Sequence, residues 1–479
     1  MPNVPASPEE PRPSRRQFVK TASALLGLSV LEPSSAPLRT PMNLERESDL
    51  SVTIERVNAG FEREPLTHPF EFKGGSLTEL WQAVALMEGP SGTAQVGLGT
   101  QSVLWADSSV FASHSESGGN ALMFALTDRA LQMAEGRSFR TPVDLQEDLL
   151  DDVHEYGKTL TGNPDLAVTF ALNALVAVDN AAWLLFAEEN GIEDVDELIP
   201  ADYRPGLSHQ HDEVASIPTF GYGASLEAVE QAVEEGYYFL KIKIGQPGSQ
   251  EEMLAKDKER LSAIHDAIGQ RRTPYTESGQ LAYYLDANGR YEDIETLQRL
   301  LDHAEQIGAL DQIVIVEEPF PEGTESDVSG LGVRVAADES ASTVEDARRM
   351  IDRGYEAIAL KPVAKTLSMT MKIAQVAHEH NVPCFCADLT VNPVLVDWNK
   401  TVAARLSPFP GFKTGLMETN GRQFYANWDQ MRQHHPCPEA PWQETRDGVF
   451  PLDDSFYERS GCILDVPEHY RRLVTPKGN

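Results

Sequence analysis

From Ser216 to about Asn420 the sequence repeats one unit: a short apolar run, a polar loop and a stretch of helical periodicity. The runs predicted as strands fall at residues 217–221, 239–244, 282–286, 312–317, 333–337, 357–361, 383–387 and 412–417. Helical patterns at 226–235, 251–268, 294–307, 344–353 and 367–380 separate most of them. Strands alternating with helices are joined by right-handed crossovers and lie parallel. Eight of them close a (β/α) barrel. The connection between the fourth and fifth strands is short for a full helix, so an open doubly wound sheet is the competing arrangement.

Upstream the pattern differs. Residues 50–99 alternate apolar and polar in short runs, Ser51-Val52-Thr53-Ile54-Glu55-Arg56-Val57 being the clearest, which predicts a small antiparallel sheet. Residues 115–120 read as a Gly/Ser loop, and residues 121–191 turn helical, with a long apolar face over 166–187. The expectation is an α/β protein: an α+β capping domain at 50–215, a barrel at 216–420, and a Pro-, Trp- and His-rich segment at 421–479 that packs back on the capping domain. A chain of 479 residues is long enough for both cores.

Ser14-Arg15-Arg16-Gln17-Phe18-Val19-Lys20, an apolar run over 21–31 and small residues up to Ala36 resemble a twin-arginine export signal. The apolar run is too short for a stable membrane span. Residues 1–36 are therefore expected to be an export signal and the protein periplasmic or exported, a basic tail on a cytoplasmic protein being the other reading. With 74 acidic against 40 basic residues the formal charge is −34, which excludes nucleic acid and anionic membrane as partners. Cys384 and Cys386 share one predicted strand, which is no zinc spacing. Cys437 and Cys462 could pair in an exported protein or remain buried thiols.

Strands two to eight each end in charge: Lys241 and Lys243, then Asp286, Glu317, Asp338, Lys361, Asp388 and Glu418. One such residue is an ordinary loop charge. Seven consecutive strands ending this way mark a site, because the C-terminal ends of barrel strands ring the active site. Only 13 residues are Lys, and Lys241, Lys243, Lys361 and Lys365 fall in two short segments. Lys241 and Lys243 are two apart, so they share the face opposite Ile242 and Ile244 and point into the barrel. Asp286, Glu317 and Asp338, on adjacent strands, offer three hard oxygen ligands suited to Mg²⁺ or Mn²⁺. Asn288 lies on the face of Asp286, and Glu318 and Glu339 are placed to support the ligands rather than to bind directly.

The run Lys241-Ile242-Lys243, Leu285-Asp286-Ala287-Asn288, Val316-Glu317-Glu318-Pro319, Ala337-Asp338-Glu339-Ser340 and Leu360-Lys361-Pro362 resembles the enolase superfamily. Its paired lysines are similar to those of the muconate-lactonizing subgroup. The likeness extends to the helix around Asp179 and Trp183. The resemblance implies a barrel of the modified TIM type and a metal held by Asp286, Glu317 and Asp338. It implies Lys243 and Lys361 as the acid/base pair, with Lys241 assisting, and proton removal next to a carboxylate through an enediolate. On this reading the protein is an isomerase, a racemase or epimerase of a small carboxylic acid or amino-acid derivative, and a homo-oligomer. A cycloisomerase or a β-elimination lyase, of the o-succinylbenzoate-synthase or dehydratase kind, would use the same residues, and a non-catalytic metal and carboxylate binder is the reading of another class.

The chain departs from the pattern in two places. Dipeptide epimerases carry Asp-x-Asp on the eighth strand, where this chain has Met417-Glu418-Thr419-Asn420. Mandelate racemase uses a His-Asp dyad from strands seven and six, where this chain has Asp388 and Lys361. Strands two and six of an eight-strand ring are half a turn apart, so Lys243 and Lys361 should face each other. A dication and a second lysine should lower each lysine's pKa. Substrate choice is expected to come from loops near 60–75 and 89–99 and from Asp388 and Glu418.

Overall fold

The computed structural model describes residues 50–72 and 75–475. Within them, a long hairpin formed by β2 (Arg56–Phe72) and β3 (Gly75–Glu88) follows the short strand β1 (Val52–Thr53). β4 (Ala94–Gln101) completes an antiparallel sheet of order β2-β3-β4, while β1 pairs with β5 (Ser138–Phe139). From Leu80 to Met87 β3 is buried on both faces, so the alternation seen in the sequence gives way to a buried run that is apolar except for Gln82.

Helix Val168–Asn190 lies directly on β4. A β-carbon on Gly97 would collide with the backbone at Ala177 and Ala181, which is why the strand carries glycine where the helix crosses. This is the one helix among the described residues long and apolar enough to cross a membrane, and its apolar stretch is buried inside the protein. Its far side meets the barrel: the Trp183 indole N–H donates to Ser368 Oγ, and Asp179 accepts from the Ser368 hydroxyl and, at 3.1 Å, its amide. Burial pushes the Asp179 carboxyl up to about 6, against the opposing pull of the Ser368 hydrogen bonds. The expected Gly/Ser loop at 115–120 is instead part of helix Ser108–Ala134, broken only by a kink at Ser115 with φ 66°. Gly119 is needed there because a side chain would strike Val103, so its presence reports close packing rather than a loop.

The barrel closes through a divided first strand. β6 (Glu213–Ile217) and β7 (Thr219–Phe220) are separated by Pro218, which has no N–H to give the ladder. β7 pairs with β8 (Phe239–Lys243), and the ring continues through β9 (Ala282–Asp286), β10 (Ile313–Glu317) and β11 (Val335–Ala337). β12 (Ala357–Leu360), β13 (Cys384–Cys386) and β14 (Gly415–Glu418) follow, and β14 returns to β6. All these pairings are parallel, so the fold is the closed barrel with a capping domain and not the open sheet. Two strands differ from their predicted positions. The first begins at Glu213, because Pro218 divides the strand and its longer part lies before that residue, and the last begins at Gly415, because Phe412 belongs to an aromatic cluster with Phe239 and Phe409. Residues 318–334 contain no helix.

The final segment divides between both halves. β15 (Val449–Pro451) joins the barrel sheet antiparallel to β6, while helix Glu468–Val474 packs on β2 and β3, where Asn58 Nδ2 donates to Val474 O at 2.6 Å. Cys437 and Cys462 form a disulfide with Cα atoms 6.3 Å apart, and Cys384 and Cys386 are buried free thiols.

Candidate active site

One cleft at the C-terminal ends of the barrel strands gathers Lys241, Lys243, Asp286, Asn288, Glu317, Asp338, Glu339, Lys361, Asp388 and Glu418. The register explains the arrangement. Lys243 pairs with Asp286 and Asp286 with Glu317, so three charged residues form a row across β8, β9 and β10. Just past the row, Asn288 and Glu318 take the left-handed conformation with φ of 44° and 38°, a strained geometry for such residues that tends to gather at functional sites.

The charges are buried and interlocked. Lys241 Nζ is 2.9 Å from Asp286 and 3.1 Å from both Glu317 and Glu418, and lies 4.7 Å from the centre of the Tyr284 ring. Lys243 Nζ donates to Asp286 at 2.5 Å and to Asn288 Oδ1 at 2.6 Å. Across the ring Lys361 pairs with Asp338 and sits 4.9 Å from the Trp105 ring, which the capping domain supplies. Lys365 donates to Asp338 O at 2.6 Å and lies 3.3 Å from its carboxylate.

Burial alone would lower the Lys241 pKa, but Asp286, Glu317 and Glu418 outweigh it and hold the ammonium well above its ordinary range. Lys361 is likewise raised, burial being overcome by Asp338, Glu339 and Glu317. For Lys361 the protein groups by themselves thus act opposite to the lowering expected beside a dication: adjacent carboxylates outweigh both burial and the neighbouring Lys241. Burial would raise Asp286 and Asp338, yet their lysine partners hold Asp286 well below the ordinary range and Asp338 down to about 2. Glu317 goes the other way, pushed up by burial and by Asp338 despite Lys241.

Three buried carboxylates on adjacent strand ends form a hard oxygen donor set, and Glu317 Oε2 is buried with no hydrogen-bond partner. A carboxylate oxygen left in that state is costly unless a cation takes it. Asp286, Glu317 and Asp338 thus fit Mg²⁺ or Mn²⁺ by chemistry and placement.

Asp388 and Glu418 are committed to the scaffold. Asp388 accepts the amides of Leu389 and Asn420 at 2.8 Å and of Val391 at 3.4 Å, and burial together with Glu418 pushes its carboxyl up to about 7. Glu418 accepts from the Thr219 hydroxyl at 2.8 Å as well as from Lys241. The opposite wall is apolar: Leu66, Phe70, Leu77 and Leu80 from the β2–β3 hairpin, with Trp105 and Leu389. The cleft opens to solvent at its mouth, and the empty space counted out to there is about 570 Å³. Of the two expected specificity loops, the hairpin contributes, but 89–99 does not line the cleft because β4 runs beneath the helix. Trp105 and Ser102, just after β4, take that place.

Trp105, Lys365, Thr219 and Asn420 were not assigned from the sequence. Lys365 carried a signal, being one of few lysines and four residues after Lys361, whereas Trp105 reaches the cleft only through the tertiary fold.

Residues 224–419, which hold strands two to eight, match a family model described as enolase C-terminal domain-like. The barrel is enolase-like. Among solved structures, a mandelate racemase/muconate lactonizing protein from Herpetosiphon aurantiacus is 17% identical, covering 84% of this chain and 96% of its own, with a TM-score of 0.60. The N-succinyl Arg/Lys racemase from Bacillus cereus is 15% identical over 79% of this chain and 89% of its own, at 0.57. A dipeptide epimerase from Enterococcus faecalis, solved with Mg and L-Leu-L-Tyr, is 18% identical over 76% of this chain and 90% of its own, at 0.53. At such identities these likenesses establish the fold of the enolase-like barrel and its cap. Comparison with curated proteins gives no match.

Proposed function

We propose that the chain is an enzyme of the enolase superfamily, in its muconate-lactonizing-like part, that moves the proton α to a carboxylate and so racemises or epimerises a small carboxylic acid or amino-acid derivative. One observation carries the reading: Lys243 and Lys361 stand on β8 and at the end of β12, half a turn apart in an eight-strand ring, with the three carboxylates on the arc between them. Asp286, Glu317 and Asp338 would hold Mg²⁺, which when bound supplies a charge that stabilises the electron density left as the proton departs. A substrate carboxylate anchored on that arc presents its α-carbon to a lysine on either side. Each lysine, once deprotonated, can take the proton from one face, and its charged partner can return one on the other. Lys241, hemmed in by Asp286, Glu317 and Glu418, sets the local charge rather than moving protons.

The distal part of the substrate is uncharged and apolar on this reading. Leu66, Phe70, Leu77 and Leu80 face it, while Asp388 and Glu418, the carboxylates that could have met an ammonium, are engaged by backbone amides, Thr219 and Lys241. This favours an amino-acid derivative blocked at nitrogen over a free dipeptide. Export by the twin-arginine route is part of the proposal, supported by the Cys437–Cys462 pair, since disulfides persist in oxidising compartments. The signal itself, residues 1–36, lies outside the described residues.

The deciding experiment is α-proton exchange in deuterated water over a library of carboxylates, followed by the lysine variants on the best substrate. Lys361→Ala should still exchange one enantiomer and fail on the other, and Lys243→Ala should show the reverse. Loss of exchange with both enantiomers in one variant, and little effect in the other, would instead indicate a cycloisomerase or lyase.

A further inference from the structure

A second group of metal-ligand side chains lies outside the cleft, where the C-terminal segment meets the capping sheet. Glu62 of β2, His434 and His469 of helix Glu468–Val474 place one ligand atom each within 4.8 Å of one another. His469 Nε2 is 2.9 Å from Glu62 Oε2, and the His434 and His469 rings are stacked at 3.5 Å with 6° between their planes. Two imidazolium rings face to face would repel, so the stack is that of imidazoles with at least one neutral, the form that binds metal. Glu62 Oε1 and His434 Nδ1 are both buried with no hydrogen-bond partner. Hence the cluster holds two unspent polar atoms, one oxygen and one nitrogen, at the same place.

We infer that Glu62, His434 and His469 form a second metal site, selective for a borderline cation such as Zn²⁺, that clasps the C-terminal segment to the strand leading into the hairpin over the cleft. Two nitrogens and one carboxylate oxygen are a zinc donor set with a fourth position for water, whereas Mg²⁺ avoids imidazole. The two sites of this protein therefore sort metals by chemistry. The surroundings are built to hold the ligands: Cys437 lies three residues after His434 and Cys462 seven before His469, so the disulfide fastens the two histidine-bearing stretches together. Asn58 bonds Val474 O, and a β-carbon on Gly60 would come within 2.9 Å of Leu473 O, which fixes the last helix tightly against β2. Because an ion lies in the plane of each ring that binds it, occupation tilts the stacked pair apart, and His434 Nδ1 has no bond to lose in turning. Glu62 is four residues before Leu66, so the clasp steadies the strand that carries one wall of the cleft.

The test uses the full chain loaded with excess Mg²⁺, titrated with Zn²⁺ and then desalted for metal analysis. Wild type should retain one Zn²⁺ per chain and melt at a higher temperature than the Mg²⁺-only form. Glu317→Gln should retain it as well, since that change touches only the cleft. Glu62→Gln and His469→Gln should retain none and lose the thermal shift. Co²⁺ offered in place of Zn²⁺ should give a visible absorption band in wild type and Glu317→Gln alone. Failure of Mg²⁺-loaded wild type to retain Zn²⁺ overturns the inference without any variant. Retention by folded His469→Gln equal to wild type, or its loss in Glu317→Gln, overturns it too. None of these results depends on which reaction the cleft performs.

Discussion

Replacing Asp179 by Asn tests how the capping domain is fastened to the barrel. Asp179 is buried in helix Val168–Asn190, and its carboxyl, ordinarily near 3.8, is pushed to about 6 in the folded protein, chiefly by burial. A carboxyl with a raised folded pKa contributes stability fully below its unfolded pKa and loses it as pH rises through the folded one. The window is thus pH 3.8 to about 6. The corresponding free energy is on the order of 3 kcal/mol, lost by wild type across that window. Asn cannot ionise and so should lose none of it. Its single carbonyl oxygen cannot accept both Ser368 donors as the carboxylate does, which adds a pH-independent penalty of about 1 kcal/mol. Urea unfolding of both proteins from pH 4.5 to 7.5 separates the two effects, because every other titrating group cancels in the difference. Wild-type stability should fall relative to the variant by about 2 kcal/mol between pH 4.5 and 6.5. Parallel stability curves would show that Asp179 is ionised across this range and that burial does not control it.

Glu317→Gln keeps the side-chain volume and removes one of three oxygen charges, so Mg²⁺ affinity and α-proton exchange should both fall at least tenfold, read by titration calorimetry and isotope exchange. Gly97→Ala should lower stability by roughly 3 kcal/mol or prevent folding, since the new methyl group meets the backbone at Ala177 and Ala181; thermal melting checks this. Arg15→Lys combined with Arg16→Lys should leave folded protein in the cytoplasm, and an unchanged periplasmic fraction by cell fractionation would rule out the twin-arginine route.

The sequence revealed most where chemistry and periodicity coincide. Lys241 and Lys243 could be placed inside the barrel because Ile242 and Ile244 claim the other face, and both lysines are buried in the structure. The carboxylates at the ends of strands three to five were visible because each closes a short apolar run. Positions set by packing alone were hidden. Gly118 and Gly119 suggested a loop, yet Gly119 lies in a helix whose close approach to Val103 demands it. The first strand was misplaced by four residues because Pro218 divides it between two neighbours. Which carboxylates touch Lys241 and Lys361 is a matter of distances that spacing does not contain.

Trp105 belongs to the short stretch between β4 and helix Ser108–Ala134, yet its ring covers Lys361, on the far side of the chain in sequence. The environment of a lysine proposed to transfer protons is thereby written in two parts of the polypeptide that share no secondary structure. A barrel grafted onto another cap would keep every charged residue and still alter the polarity above this amine. A change of side chain at Phe70 or Leu77 would reshape the cleft wall and leave that contact in place, whereas a change at Trp105 would remove it.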